Sequence, residues 1–148
     1  MTARKPGRGS RARSVARKLA MQALYQWQLT GQAQDAGPEL CRQFAESEDY
    51  AGADAEYFID LVQQCIGRHV ELDDILAAYA DRPVSQLDPV ERAILWLGLY
   101  EIVVRLDVPH RVLINEAVEL SKRFGATDGH KYINALLDRA VRDRRPGS

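Results

Sequence analysis

The N-terminal segment concentrates the side chains best suited to binding phosphate. Of the 20 lysines and arginines, seven precede the first acidic residue, Asp35, and the other 13 share the rest of the chain with all 21 acidic residues. Most of the seven are arginines, whose planar guanidinium groups bind phosphate through two hydrogen bonds and stack on bases. The net charge of −1 therefore conceals a cationic segment on an acidic body, which predicts a polyanionic partner. The seven residues are Arg4, Lys5, Arg8, Arg11, Arg13, Arg17 and Lys18.

The position of these charges strengthens that prediction. Apolar residues recurring at spacings of three and four predict a first helix over residues 13–30. Arg13, Arg17 and Lys18 then lie near the positive end of the helix dipole, which each opposes by about 0.3–1 kcal/mol. No acidic residue is close in sequence to relieve them. Bound RNA phosphates would remove the conflict, and a solubilising tail without a ligand is the alternative.

The sequence carries no motif typical of an enzyme. It has no Gly-rich phosphate loop, nucleophile elbow, HExxH or CxxC. The three histidines are far apart, and the acidic stretch at 46–49 lacks the spacing of a calcium loop. Cys41 and Cys65 occupy apolar positions of helical patterns, which predicts buried free thiols. We therefore expect no catalysis, no cofactor and no metal.

The cellular location of the protein is predicted from two features that the sequence lacks, a membrane-spanning segment and a secretory signal. It has no apolar run of about 18 residues that could span a membrane, and no apolar stretch follows the N-terminal basic residues as in a secretory signal. We expect a cytoplasmic protein. An organellar presequence, which is also rich in Arg and Ser, is the alternative.

Helical patterns continue along the whole chain and predict an all-α fold of six or seven helices. The clearest start signal is 88–91, where Asp88, Pro89 and Glu91 form a capping box with a preset first turn. Gly98 interrupts the apolar helix that follows, which implies close approach of a neighbouring helix. Further helices are predicted over 38–46, after Asp54, from Asp73 or Asp74, over 113–124 with Gly125 as a left-handed cap, and from Thr127 or Asp128. We divide the chain into a flexible basic arm, 1–12, and a single helical domain, 13–148.

Specific segments then match a known family in order along nearly the whole chain. They include AMQALYQW at 20–27, DPVERAIL at 88–95, INEAVEL at 114–120 and DGHKYINALLD at 128–138. On these residues the chain resembles the NusB family of bacterial transcription antitermination factors.

The resemblance implies a bundle of about seven helices in two packed halves, without catalysis or a cofactor. The implied ligand is the boxA sequence of ribosomal RNA operon leaders. It would be bound together with NusE, a ribosomal small-subunit protein. The complex would join the RNA polymerase antitermination complex, so that ribosomal RNA transcription resists premature termination.

The resemblance also assigns residues to RNA and to NusE. Arg8, Arg11, Arg13 and Arg17 would hold RNA phosphates, and Phe124, Asp128, Lys131 and Tyr132, at the last interhelical turn, would contact bases. Core packing is the alternative for Phe124. Tyr25, Leu29 and Glu91 would contact NusE. Trp96 departs from the family pattern, in which a basic residue is expected, so that face is expected to pair differently.

Two other interpretations remain open at this point. Some ribosomal RNA cytosine methyltransferases carry a NusB-like domain before the catalytic domain; this interpretation requires a nucleotide-binding module, and the sequence ends at Ser148. The other is a protein-interaction module with a passive arm. The apolar helix after Asp88 also leaves a homodimer possible.

Overall fold

The periodic apolar residues produce helices along all of the chain that the computed structural model describes, residues 8–147. Seven α-helices, two short 3-10 helices and no strand are present in that range, which confirms the all-α fold class. The α-helices are α1 Arg8–Leu29, α2 Gly37–Phe44, α3 Ala55–Gly67, α4 His69–Tyr79, α5 Pro89–Val103, α6 His110–Phe124 and α7 Gly129–Arg144, and the 3-10 helices are Glu48–Gly52 and Val84–Gln86. None of the helices described is both long and apolar enough to cross a membrane.

Helix α1 begins at Arg8, five residues before the start predicted at residue 13. Residues 8–12 are therefore helical, and Ser14 Oγ donates to the carbonyl oxygen of Ser10 at 2.9 Å on this first stretch. Arg13 consequently lies more than one turn from the helix start, where the dipole acts less strongly. The division into an arm, 1–12, and a domain, 13–148, stays a prediction. Arg4 and Lys5 lie outside the described residues.

The chain divides into two compact units, Met1–Gln63 and Gln64–Ser148, with the boundary inside α3. In the first unit, α1 packs against α2 and the 3-10 helix Glu48–Gly52. The Trp27 side chain is fully buried, and its Nε1 donates to the carbonyl oxygen of Ala33 at 2.8 Å. Gly31, at φ +101°, provides the backbone conformation that ends α1, as its position in the sequence predicted.

The second unit is organised around α5, which packs against α4, α6 and α7. Its side chains are buried on every side from Ala93 to Ile102, as the apolar sequence of this helix predicted. The predicted N-cap is confirmed, because the Asp88 carboxylate accepts from the backbone N–H groups of Val90, at 2.8 Å, and Glu91, at 3.3 Å.

Trp96 of α5 is buried with its polar atom satisfied by a charged pair. Its Nε1 donates to Asp73 Oδ1 at 2.8 Å, and Arg92 Nη2 donates to Asp73 Oδ2 at 2.6 Å. The Arg92 guanidinium lies 5.0 Å from the centroid of the indole ring. Asp73 of α4 thus holds two donors of α5, which gives Trp96 a defined orientation.

Gly125 ends α6, but not by the left-handed cap that the sequence suggested. Its φ of −91° and ψ of −177° are extended, and the positive φ of this turn falls on Asp128, at +64°. Glycine is required at 125 for space instead, because a Cβ atom there would lie 2.8 Å from the Ser121 carbonyl oxygen. The prediction of the helix end was right and its mechanism was wrong.

The end of α5 is held by an arginine from the other end of the unit. Arg145, immediately after α7, donates through Nη2 to the carbonyl oxygens of Glu101, at 2.8 Å, and Arg105, at 3.0 Å. Its Nε and Nη1 donate to those of Ile102, at 2.9 Å, and Val108, at 2.7 Å. One guanidinium therefore satisfies carbonyls that the end of a helix leaves without partners.

We expect Gly98→Ala to destabilise the protein although alanine is the better helix former. A Cβ atom at Gly98 would lie 2.9 Å from both methyl carbons of Leu137, whose side chain is fully buried. Overpacking costs about 1–3 kcal/mol, against a propensity gain of about 1 kcal/mol. The free energy of unfolding from urea denaturation should fall by about 1 kcal/mol. In a Leu137→Ala background the same change should be neutral or stabilising. An equal loss in both backgrounds would contradict the close approach.

We expect Arg145→Ala to lower the free energy of unfolding by about 2–3 kcal/mol, because several buried carbonyls lose a charged donor. Arg144→Ala, an exposed neighbour, is the matched control and should change it by less than about 0.5 kcal/mol. Urea denaturation of both variants measures the difference. Equal effects would show that Arg145 does not hold the end of α5.

Candidate nucleic-acid interface

The arginines predicted to bind RNA phosphates differ sharply in exposure. Arg11 is exposed on α1, and the Arg13 side chain is 33% exposed. Arg17, by contrast, is only 4% exposed. Arg8 is the first residue of α1, and its side chain lies outside the described part of the structure. The surface that α1 offers to a ligand therefore includes Arg11 and the outer part of Arg13.

A tyrosine that sequence reasoning gave no role explains the burial. The Arg13 and Arg17 guanidinium carbons lie 4.2 and 5.3 Å from the ring centroid of Tyr57, on α3. Both arginines therefore make cation–π contacts with one ring, which is itself buried. Arg17 therefore packs α1 against α3, and its assignment to RNA phosphates stays a prediction. Nothing in the spacing of Tyr57 distinguishes it from an ordinary core residue.

Acidic residues that are distant in sequence partly relieve the basic helix. Lys18 Nζ pairs with the Asp49 carboxylate, and Arg13 Nε lies 3.8 Å from Asp54 Oδ2. These acids are more than 30 residues away in sequence, so only the folding of the first unit brings them to α1. The electrostatic conflict inferred for α1 is therefore partly relieved within the protein itself.

Asp54 also fixes where α3 begins. Its Oδ1 accepts from the Tyr57 backbone N–H at 3.1 Å, which confirms the predicted cap of this helix. Its own N–H donates to the carbonyl oxygen of Ala12 in α1 at 3.0 Å. One residue therefore joins the basic stretch of α1 to the start of α3 and orients Tyr57 beneath Arg13.

The other four predicted RNA contacts lie in the second unit, at the turn from α6 to α7. Phe124 is half-buried, and the Arg123 guanidinium lies 4.9 Å from its ring centroid. Asp128 and Lys131 are exposed and approach each other, with Nζ 3.6 Å from Oδ1. The turn therefore presents an aromatic ring and charged groups of both signs, the groups with which proteins recognise unpaired bases.

Tyr132 at the start of α7 is held by two residues that the sequence analysis did not single out. Its hydroxyl oxygen accepts from the backbone N–H of Asp81 at 3.4 Å, and the Arg82 guanidinium lies 5.0 Å from its ring centroid. Partial burial raises the pKa of the Tyr132 hydroxyl. Arg82 precedes Pro83 in the connection between α4 and α5.

The residues expected to contact NusE also lie in different units. Tyr25 and Leu29 are one turn apart on α1, and both are exposed, by 38% and 59%. Glu91 lies on α5 and is 8% exposed. Tyr25 and Leu29 have the exposed apolar character of a contact surface, whereas Glu91 is largely buried.

The Glu91 carboxylate does not complete the predicted capping box. Its Oε2 lies 2.9 Å from the position that a Cβ atom on Gly129 would occupy, so it is turned toward the first residue of α7. The positive end of that helix favours a carboxylate there. Burial nevertheless raises the pKa of Glu91, and the charge of Asp88 raises it further. Glu91 thus links the starts of α5 and α7, and α7 carries predicted RNA contacts.

Residues 8–147 contain few groups suited to metal binding or to reactions of a thiol. No cluster of three His, Cys, Asp or Glu side chains in this range could hold a metal ion. Cys41 and Cys65 are free and buried, as predicted, and burial raises the pKa of the Cys41 thiol. The arrangement described is suited to binding a polyanion and a protein surface.

Comparison with known proteins identifies the family of the chain. The model of the NusB family matches residues 14–142. A protein of Idiomarina loihiensis named transcription antitermination protein NusB is 45% identical over 91% of this chain and 95% of its own length. A protein of the same name from Alcanivorax borkumensis is 48% identical over 90% of this chain and 87% of its own length.

A solved structure supports the same assignment of the fold. The structure of T. maritima NusB covers 97% of this chain and 96% of its own, with a TM-score of 0.79 at 24% sequence identity. At that identity the match concerns the fold, whereas the family model and the relatives above concern the sequence itself. The chain belongs to the NusB family.

Proposed function

We propose that this protein is a transcription antitermination factor that binds the boxA RNA of ribosomal RNA operon leaders together with NusE. It would act by binding alone, bringing RNA and NusE to the RNA polymerase antitermination complex, without catalysis or a cofactor. The observation that carries the proposal is the family match over residues 14–142, with relatives at 44–48% identity that are named transcription antitermination proteins.

The basic residues in the first turns of α1 support the RNA part of the proposal. Arg8, Arg11 and Arg13 lie along the first turns of one helix, and Arg13 is supported from beneath by Tyr57. Phosphate contacts of this kind give affinity and orientation, and base contacts give sequence preference. We assign the base contacts to Phe124, Asp128, Lys131 and Tyr132. Arg17 serves this surface indirectly, through its contact with Tyr57.

The NusE part of the proposal is supported by Tyr25 and Leu29. Large apolar side chains exposed one turn apart suit a protein partner, and aromatic residues are enriched in such interfaces. Glu91 adds a carboxylate whose charge would need a donor from the partner, because it is held in a largely buried position. The cytoplasmic location predicted from the sequence follows from these partners and is part of the proposal.

We expect boxA RNA to bind more tightly than a scrambled RNA of equal length and composition, and NusE to increase the difference. If about five basic side chains meet phosphates of single-stranded RNA, log K should fall against log salt with a slope of roughly −3 to −4. Fluorescence anisotropy titrations at several salt concentrations, with and without NusE, measure both quantities. Equal affinity for the two RNAs in the presence of NusE would overturn the proposed function.

Two variants extend this titration to α1. Arg11→Ala should make the slope less steep by about 0.7, because one phosphate contact is lost. Arg42→Ala, an exposed arginine of α2 in the same unit, is the matched control and should leave it unchanged. Circular dichroism should show the same helix content in both. An unchanged slope for Arg11→Ala, or after deletion of residues 1–12, would favour the passive arm.

We expect Glu91→Gln to weaken NusE binding without lowering stability at neutral pH. Because the pKa of Glu91 in the folded protein lies above its ordinary value of 4.5, the folded state binds this proton more tightly than the unfolded chain. Protonation therefore adds stability as the pH falls through the folded-state pKa toward 4.5, and that contribution is absent at pH 7.

The glutamine of the Glu91→Gln variant does not titrate, so this contribution to the pH dependence of stability is lost. The free energy of unfolding of Glu91→Gln should equal or exceed that of the unmodified protein at pH 7, and its advantage should shrink toward pH 4.5. Urea denaturation at several pH values and titration with NusE by calorimetry measure stability and binding separately. Unchanged NusE affinity in the folded variant would remove Glu91 from the interface.

A further inference from the structure

The connection after α4 places an exposed arginine on an aromatic ring. Arg82 Nε donates to Asp81 Oδ1 at 2.7 Å, and its Nη2 donates to Asp81 Oδ2 at 3.2 Å. The same guanidinium lies 5.0 Å from the ring centroid of Tyr132, whose hydroxyl oxygen accepts from the Asp81 N–H. Two contacts therefore hold Arg82, one to a carboxylate and one to a ring.

The held guanidinium remains open to a ligand. The Arg82 side chain is 44% exposed and that of Asp81 is 61% exposed. An exposed ion pair between sequence neighbours contributes little to folding, so stability does not account for the arrangement. Instead, the two contacts order the long arginine side chain before a ligand binds, and this preorganisation lowers the free-energy cost of binding the ligand.

The chemistry of the cluster matches an unpaired nucleobase. A guanidinium plane provides a stacking surface for any base. The Asp81 carboxylate accepts hydrogen bonds, and exocyclic amino groups of adenine, cytosine and guanine are suitable donors. The Arg82 hydrogen bond also lowers the pKa of Asp81, so this acceptor stays ionised. A phosphate suits the cluster less, because the Asp81 charge would repel it.

We propose that Arg82, held between Asp81 and Tyr132, is a stacking surface for one unpaired base of the bound RNA. This inference rests on the proposed RNA-binding function and extends the base-binding surface from the start of α7 to the end of α4. It adds a residue of the α4–α5 connection to a surface that sequence reasoning confined to residues 124–132.

The test compares two variants of Arg82 with a matched control. Arg82→Ala removes the plane and the charge, and Arg82→Lys removes the plane and keeps the charge. Arg142→Ala is the control, because Arg142 of α7 is also exposed and also pairs with a carboxylate, Asp138, at 2.7 Å. Each protein is titrated with boxA RNA at several salt concentrations, and its thermal unfolding is recorded.

Stacking predicts that Arg82→Lys and Arg82→Ala both lose about 5-fold or more in affinity, up to the roughly 150-fold that corresponds to the upper end of the range of about 1–3 kcal/mol for a base stacked on an aromatic side chain. The slope of log K against log salt should stay the same for Arg82→Lys, and Arg142→Ala should bind like the unmodified protein. A 2-aminopurine scan along the RNA should find one position whose fluorescence changes on binding to the unmodified protein and does not change in the same way on binding to Arg82→Lys.

Two results would overturn the inference. Full affinity of Arg82→Lys, with a slope about 0.7 less steep for Arg82→Ala, would make Arg82 a phosphate contact. Full affinity of both variants would leave Arg82 outside the RNA surface. In either case the unmodified protein still distinguishes boxA from scrambled RNA, so the proposed function would stand. Failure of the unmodified protein to make that distinction would instead end the proposed function itself.

Discussion

The basic side of α1 depends on one contact, between the start of α3 and the side chains of α1. Asp54 caps α3, its carboxylate pairs with Arg13, and its backbone N–H donates to a carbonyl oxygen of α1. Together these interactions fix the position of Tyr57. The Tyr57 ring then covers Arg17, a charge that is almost completely buried. A charge so placed needs compensating contacts, because its removal from water is costly.

This contact separates the arginines of α1 into two kinds. Arg13 and Arg17 pack on Tyr57 and hold the helix in place, whereas Arg11 is exposed to solvent. In the sequence these arginines form one cluster and suggest one role, because residue type and spacing are the same for both kinds of arginine. The difference arises from Tyr57, and Asp49 and Asp54 also neutralise Lys18 and Arg13 from a distant segment. A count of basic residues therefore overstates the charge available to an RNA.

Properties that arise within a few residues of the chain could be predicted from the sequence. The presence of the helices, the Asp88 cap and the burial of Cys41 and Cys65 follow from local spacing and agree with the structure. The predicted start of α4 at Asp73 or Asp74 was wrong, because this helix begins at His69. The predicted start of α1 lies C-terminal to the observed start, because the residues before position 13 carry no apolar stripe and resemble an extended arm.

Properties that depend on contacts across the sequence could not be predicted. The carboxylate of Glu91 is turned to Gly129, the first residue of α7, rather than to its own helix. The carbonyls that Arg145 satisfies belong to α5, although its position suggested the end of α7. The sequence around each of these residues is compatible with a local role, but in the structure each residue contacts a partner that is distant in sequence.

The two tryptophans give the molecule a built-in spectroscopic label for each compact unit. Trp27 lies in the first and Trp96 in the second, and both are fully buried. Their indole groups have different neighbours, a neutral carbonyl for Trp27 and an ion pair for Trp96, so their emission maxima should differ. With one indole replaced by phenylalanine, the remaining emission reports the unfolding of a single unit, and the coincidence of the two melting curves measures whether the two units unfold in one transition.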